Sequence, residues 1–167
     1  METVTTHSGK ATVTLPADDE ILIRREFDAP RHLVYKAWTT PELVKRWWHA
    51  KRGEVTVAEM DLRVGGRWRY AMVTPEGMEV AFHGEYREIV PNERIVSTEI
   101  FEGLAQDAYP EESTLNTATF EDLGGRTLLT LAIEAPSKAV RDAIVQSGME
   151  DGLQDALDLL EELARSL

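Results

Sequence analysis

The sequence predicts an α+β fold in which an antiparallel sheet is covered by one long C-terminal helix. Two short helical segments follow the first strand, alternating strands occupy the middle of the chain, and an amphipathic segment runs from Ser137 to the end. Helices that are segregated from a run of consecutive antiparallel strands are typical of α+β folds rather than of doubly wound ones.

The composition fits a single domain. The chain has 167 residues, 43% of them hydrophobic, and domains commonly contain about 100–200 residues. Because a chain of this size buries roughly 70% of its unfolded surface, it needs no disulfide or metal to hold a core. Cysteine is absent, which excludes a disulfide framework, a thiolate zinc site and a thiol nucleophile. This fits a reducing compartment, so we expect a cytoplasmic protein.

The charge argues against polyanionic partners. With 30 acidic and 18 basic residues, the formal net charge is −12. Such a surface repels phosphate backbones and anionic lipid headgroups, so we expect no nucleic-acid partner. No apolar run approaches the roughly 20 residues that span a bilayer, and the N-terminus lacks the pattern of a secretory signal. We therefore expect no membrane insertion.

The first elements follow from local patterns. Residues 1–19 are rich in threonine, aspartate and small residues, so we expect a flexible N-terminal arm, with a short strand possible at Val13 and Leu15, before a folded domain over 20–167. Residues 20–27 alternate, with Ile21, Ile23 and Phe27 on one side. Alternation of this kind predicts a half-buried strand.

Two helix starts come next. Asp28-Ala29-Pro30 and Thr40-Pro41 each precede an apolar pattern with helical spacing. Asp and Thr are favoured N-caps, and proline is favoured at the first helical position. We predict short helices over 30–38 and 41–48, with one residue of the adjacent pair Trp47-Trp48 anchored in the core and the other free to line a pocket or a partner surface.

The middle of the chain predicts a hairpin with a defined register. The strands 67–74 and 78–90 flank a loop that ends in Gly77, where a three-residue hairpin loop often requires a left-handed residue. If Thr74 pairs with Met78, the large apolar side chains share one face, and a slip of one residue would mix the two faces. The other face then carries arginines opposite glutamate and histidine. Further strands are predicted over 55–64, 94–101, 113–121 and 126–134, for a sheet of about six to seven strands.

The C-terminal segment predicts one helix from Ser137 onward. Its apolar stripe includes Ile144, Ala156 and Leu160, and acidic residues fill the opposite face. An amphipathic helix of this kind covers a sheet. Gly148 and Gly152 interrupt the stripe, which we interpret as close approach of the helix to the sheet, with a bend for a ligand as the alternative.

Four segments together resemble a known superfamily. They are FDAPRHLVYKAWTTPELVKRWW, MDLRVGGRWRYAMVTPEG, FHGEYREIVPNERIV and SGMEDGLQDALDLLEEL. In this order they resemble the START-like (SRPBCC) proteins, and within them the bacterial branch related to the activator of the ATPase of the ninety-kilodalton heat-shock chaperone. The resemblance extends over residues 20–165. It implies a helix-grip fold, with a curved sheet wrapped around the C-terminal helix and a cavity between them. The sequence departs from this branch at His49, where glycine is common, and at Leu153, where tryptophan is common.

The inner face of the predicted sheet is the candidate binding site. Ligand pockets are mostly apolar with a few polar groups, whereas a close-packed core would leave no space between the same side chains. By alternation Glu88 shares the aromatic face with Tyr86, although a position at the sheet edge would also explain it. The candidate pocket residues are Trp48, Trp68, Tyr70, Met72, Phe82, Tyr86, Glu88, Met149 and Leu153.

Catalytic chemistry has little support in the sequence. The four histidines lack metal-ligand spacing, so we assign no metal site and no cofactor. No nucleophile elbow occurs. An enzyme of the cyclase or hydrolase kind would need polar groups inside the cavity, for which the sequence offers Glu88, with Thr98, Glu99 or Thr130 as further choices. We assign no catalytic residue.

Three functions remain open at this point. The first is binding of a small apolar or aromatic molecule in the cavity. The second, which rests on the resemblance alone, is a module that binds a chaperone and stimulates its ATPase. The third is an enzyme that uses the same cavity.

Overall fold

A computed structural model describes residues 10–49, 52–102 and 113–167 of the chain. The helices and strands within these ranges are, in chain order, β1 Thr12–Thr14, β2 Glu20–Phe27, α1 Arg31–Thr39, α2 Pro41–Trp47, β3 Glu54–Met60, β4 Arg67–Val73, β5 Glu79–Val90, β6 Arg94–Phe101, β7 Thr114–Asp122, β8 Thr127–Glu134, α3 Lys138–Gln146 and α4 Met149–Ser166.

The strands of the described residues form one antiparallel sheet. Its order is β1-β2-β8-β7-β6-β5-β4-β3. Both α1 and α2 contact α4, so the helices lie together against one side of the sheet. This is the helix-grip arrangement, and the predicted α+β class is confirmed.

The predicted hairpin register is confirmed at every pair. Trp68 lies opposite Gly84, Tyr70 opposite Phe82 and Met72 opposite Val80. The Thr74 amide donates to the Met78 carbonyl at 2.9 Å, and Gly77 has the left-handed φ of 86° that the loop requires. A single left-handed glycine thus sets which side chains of β4 and β5 share a face.

The predicted N-terminal arm contributes a strand. Val13 of β1 pairs with Ile23 of β2, and the Ala11 amide donates to Oε1 of Gln154 on α4 at 3.0 Å. The sheet therefore has eight strands within the described residues, one more than the upper expectation. The rest of the predicted arm, residues 1–9, lies outside the described residues.

The single C-terminal helix was predicted wrongly, because the helix breaks at Gly148. This residue has φ 84°, and it is the N-cap of α4. A left-handed residue ends a helix, and glycine is the residue that adopts this conformation without a side-chain clash. Close approach to the sheet does not explain this glycine, since a Cβ built on it would meet nothing within 4 Å.

At one end of the sheet and helix the core side chains are shielded from solvent. We call it the closed end and define it by Phe27, Phe120, Leu129, Leu157 and Leu160. None of these five is more than 1% exposed. Tyr35 of α1 completes the packing with an edge-on ring contact to Phe120, 5.4 Å between centroids.

A charged residue lies under α4 beside the closed end. Arg25 follows the inward alternation of Ile21 and Ile23 and is fully buried. Its guanidinium donates to Asp158 at 2.7 Å and to Glu161 at 2.9 Å. Buried charges are tolerated when they are paired and hydrogen-bonded. The acidic side of α4 therefore contacts the sheet here instead of facing only solvent.

Candidate ligand-binding site

The two adjacent tryptophans of α2 have separate surroundings. Trp47 is buried, and its Nε1 donates to the Ala37 carbonyl at 3.0 Å. Trp48 is partly buried, and its ring contacts Tyr70 and Phe82 with centroid distances of 5.3 and 5.8 Å. As expected, one residue of the pair anchors the helix and the other faces the aromatic strands.

The floor of the site is fixed by a tryptophan that crosses a neighbouring strand. The Nε1 of Trp68 donates to the carbonyl of Thr98 at 3.2 Å, passing over Gly84 of β5. A Cβ built at Gly84 would lie 2.7 Å from this nitrogen and would overlap the Thr98 carbonyl. Gly84 is therefore needed for close approach, and the Trp68 indole is held in one orientation.

Two phenol groups meet on the inner face. Burial raises the pKa of Tyr70 well above its usual value, and the neighbouring Tyr86 raises it further. Burial also raises the pKa of Tyr86, whose hydroxyl interacts with that of Tyr70. Both therefore stay protonated at neutral pH and can donate a hydrogen bond.

An acidic side chain also faces inward. Glu99 pairs with Thr114 across β6 and β7, and its Oε1 accepts from Nδ2 of Asn116 at 3.0 Å. Desolvation raises the pKa of Glu99, whereas the Asn116 bond lowers it by a smaller amount. The charge of Glu99 also acts on Tyr70. Glu99 and Tyr70 are both partly exposed residues.

The helix side of the site is formed by the first turns of α4. Met149 and Leu153 are partly buried and pack against the core. Gly152 is buried, and a Cβ there would lie 3.7 Å from Cε1 of His49 and 3.9 Å from the guanidinium of Arg52. This glycine therefore faces the segment after α2 rather than the sheet, which corrects our interpretation.

His49 has an unusual backbone conformation at this edge. Its φ is 48°, a left-handed value that side-chain-bearing residues seldom adopt. The ring contacts Trp48, 4.6 Å between centroids. Burial and, secondarily, the Arg52 charge lower the pKa of His49, so the imidazole is neutral at neutral pH.

We define the open end by Trp48, Tyr70, Phe82, Met149 and Leu153, all of which are partly exposed. Trp68 and Tyr86, which are buried, lie beside it. Met72 is also buried, and a Cβ built at Gly53 would lie 2.8 Å from its methyl group, so it belongs to the packing between β3 and β4. Seven of the nine predicted pocket residues thus lie on the inner side of the sheet or on α4, and an eighth, Trp48, follows α2 and contacts the inner face of the sheet.

The exception is Glu88, for which the predicted alternation is wrong. The register between β5 and β6 shifts between Tyr86 and Glu88. Such a bulge adds one residue to a strand and reverses the direction of the side chains that follow. Glu88 is exposed and pairs with Arg94 at 3.1 Å.

The outer face carries a separate polar cluster. Glu102 accepts from Nε and Nη2 of Arg69 at 2.8 and 3.0 Å, and its Oε2 lies 3.0 Å from Nδ1 of His83. Arg67 lies opposite Glu85 as the register predicts, and the carboxylate of Glu85 forms its ion pair with Arg87 at 3.2 Å. A depression of about 310 Å³ lies above this cluster, and a second of about 280 Å³ lies beside Leu159 on α4. Neither lies between β4 and α4.

Two inward polar residues, Asn116 and Thr114, were not predicted from the sequence. Asn116 occupies an inward position of β7 that alternates with Ala118 and Phe120, and asparagine is depleted in strands. The signal that could have revealed Asn116 is a polar residue, of a type that is rare in strands, on an otherwise apolar face. Thr114, which donates to Asn116 Oδ1 at 2.8 Å, gave no such signal because threonine is common in strands.

Other kinds of site are not indicated by the described residues. Within them, no three His, Asp or Glu side chains converge as metal ligands would. No helix among them is both long and apolar enough to cross a bilayer.

Comparison with known proteins decides the family. The profile of the family described as "Activator of Hsp90 ATPase homolog 1-like protein" matches residues 28–165. The chain belongs to this family. The match extends from the end of β2 to the end of α4 and includes every residue of the open end.

Solved structures share the fold of this AHSA1-family chain. A protein from Rhodobacter sphaeroides is 23% identical with a TM-score of 0.85, covering 95% of this chain and 100% of its own. A Staphylococcus epidermidis protein is 26% identical (TM-score 0.78, 93% and 94% covered). A Chromobacterium violaceum protein, CV1439, is 29% identical (TM-score 0.71, 89% and 98% covered). No curated protein sequence matches significantly.

Proposed function

We propose that this AHSA1-family domain binds a small apolar or aromatic molecule at its open end, between the inner face of the sheet and the first turns of α4. The observation that carries the proposal is the contrast in burial along one core. Trp48, Tyr70 and Phe82 form a connected set of ring contacts and yet remain partly exposed. Apolar side chains that retain exposure beside a packed core are typical of a binding cleft.

Entry of a ligand would widen the open end. The two depressions described above lie elsewhere. In this proposal the aromatic side chains and α4 separate to admit a molecule. The break at Gly148 lets α4 begin independently of α3. Met149 is unbranched, and methionine adapts to irregular partners.

A titration with a neutral naphthalene derivative tests the proposal. We expect saturable binding to the wild-type protein, seen as a change in tryptophan emission. Leu153→Trp places an indole on the α4 side of the cleft and should weaken binding at least about tenfold, a loss of about 1.4 kcal/mol. Leu123→Trp adds the same group at an exposed turn and should bind as the wild type does.

Two results would contradict the proposal. One is the absence of saturable binding to the wild-type protein at the solubility limit of several such ligands. The other is an unchanged affinity in Leu153→Trp, which would place the bound molecule elsewhere on the surface.

A second candidate function follows from the family description, which names an activator of the Hsp90 ATPase. In this case the partly exposed aromatic and apolar side chains would contact the chaperone. Adding the domain to a chaperone of this class should raise its ATP hydrolysis rate. An unchanged rate over a wide range of domain concentration would argue against this function. A cytoplasmic location stays a prediction for either function.

A further inference from the structure

The inner carboxyl group is oriented by a chain of hydrogen bonds. Oγ1 of Thr114 donates to Oδ1 of Asn116 at 2.8 Å. Because that oxygen accepts, the amide nitrogen of Asn116 faces Glu99 and donates to its Oε1 at 3.0 Å. An asparagine amide that is fixed in this way presents a donor, and the carboxyl group of Glu99 is its acceptor.

The second oxygen of this carboxyl group is available. Among the described residues, Oε2 of Glu99 accepts no hydrogen bond from a side chain or a backbone amide. Glu99 is a partly exposed residue, so its carboxyl group is not enclosed in the core. Oε2 is therefore open to a donor from a bound molecule.

Glu99 also differs from Glu102 and Glu161, two acids that are partly withdrawn from solvent, because no described residue is its cationic partner. Glu102 has the guanidinium of Arg69 at 2.8 Å, and Glu161 has that of Arg25 at 2.9 Å. None of the ion pairs among the described residues includes Glu99; its polar partner is Asn116. A carboxylate removed from water is stabilised mainly by pairing with a cation, and no described residue supplies that cation to Glu99.

The side chains around Glu99 suit a positive charge. Trp68 holds its indole nitrogen 3.2 Å from the carbonyl of Thr98, the residue before Glu99. Tyr70 is close enough for the charge of Glu99 to act on its phenol, and its ring contacts Trp48 at 5.3 Å. Aromatic faces attract cations, most strongly when water is excluded. A net charge of −12 also attracts cations over longer distances.

We propose that the ligand is an apolar amine, an inference that rests on the proposed function. Its ammonium group donates to Oε2 of Glu99, and its apolar part lies among Trp48, Tyr70 and Phe82 at the open end. The raised pKa of Glu99 supports this assignment. A bound ammonium group would lower that pKa and supply the missing counter-charge.

Three ligands with one ring system test the assignment: 1-naphthylmethylamine, 1-naphthalenemethanol and 1-methylnaphthalene. They present a cation, a neutral donor and no donor on the same ring. Dissociation constants are measured at pH 7 for the wild type, for Glu99→Gln and for Glu88→Gln. The last variant removes the same charge at an exposed ion pair outside the cleft.

We expect the wild type to bind the amine at least about tenfold more tightly than 1-methylnaphthalene, about 1.4 kcal/mol. Glu99→Gln should abolish this preference, so that the variant binds the amine and 1-methylnaphthalene with similar affinity, whereas Glu88→Gln should keep the preference. Equal binding of the amine and 1-methylnaphthalene, equal binding of the amine and the alcohol, or an amine preference that survives in Glu99→Gln would overturn the assignment. If none of the three ligands binds the wild type, the proposed function itself fails.

Discussion

The closed and open ends use the same sheet and the same helix, and they differ in how far their side chains are buried. At the closed end Phe120 and Leu160 are at most 1% exposed. At the open end the matching aromatic residue and leucine, Phe82 and Leu153, keep partial exposure. The closed end contains apolar side chains and an edge-on ring contact. Beside the open end lies Glu99, whose carboxyl group is hydrogen-bonded to the side-chain amide of Asn116. This difference in burial is the basis of the proposal that one end provides stability and the other binds a ligand.

The largest expected difference between the two ends follows from truncating one leucine of α4 at each end. Leu160→Ala should lower the free energy of unfolding by about 2–5 kcal/mol, since it removes a fully buried side chain and leaves a cavity. Leu153→Ala should cost about 1 kcal/mol, because its side chain keeps contact with solvent. Urea unfolding measures both. Equal losses would show that the two ends are packed alike.

A second test addresses the floor of the open end. Gly84→Ala should destabilise the protein by about 1–3 kcal/mol, the usual cost of overpacking. The new methyl group would meet the Trp68 indole and the Thr98 carbonyl. Thermal unfolding measures the loss, and tryptophan emission reports the displaced indole. Wild-type stability together with unchanged emission would mean that Trp68 does not lie across this strand.

A pair of glycine variants compares the break before α4 with its first turn. Gly148→Ala should cost about 1 kcal/mol because φ is 84° there, and a left-handed conformation strains a side-chain-bearing residue. Gly152→Ala should add up to about 1 kcal/mol of stability, since alanine is the better helix former and its Cβ would make an ordinary contact with His49. Denaturant midpoints distinguish the two. The same sign for both variants would contradict the observed helix break.

The smallest expected effect is a pH-dependent gain in stability. Since the folded pKa of Glu99 is raised above the usual 4.5, its ionisation destabilises the fold as pH rises from 4.5 through the folded value. Glu99→Gln cannot ionise, so it should match the wild type near pH 4 and unfold at a higher temperature at pH 7. Scanning calorimetry at both pH values tests this, with Glu88→Gln as a control for net charge. A Glu99→Gln variant less stable than the wild type at pH 7 would contradict it.

Much of the fold followed from local signals in the sequence. Gly77 sets the register of β4 and β5, and alternation gave the bounds of β2 and β6 as the structure has them. The break at Gly148 was not predicted because apolar residues continue at helical spacing on both sides of it. Only the left-handed backbone conformation reveals that α4 begins there.

The candidate site was less predictable because it depends on pairing between strands that are far apart in sequence. Alternation placed the aromatic side chains of β4 and β5 on one face, but it misplaced Glu88, since the bulge reverses the alternation after Tyr86. The contact between Glu99 and Asn116 requires the register of β6 and β7. In the sequence, the residues between these two strands contain no turn signal as definite as Gly77.

The most direct test of the open end follows individual methyl groups by NMR while a neutral naphthalene ligand is added to the wild-type protein. Met149 and Leu153 report on the open end, and Leu157 and Leu160 report on the closed end of the same helix. We predict saturable shifts at the first two methyl sites and small or no shifts at the other two. Shifts of similar size at all four sites, or shifts confined to Leu157 and Leu160, would contradict a binding cleft between the aromatic strands and the start of α4.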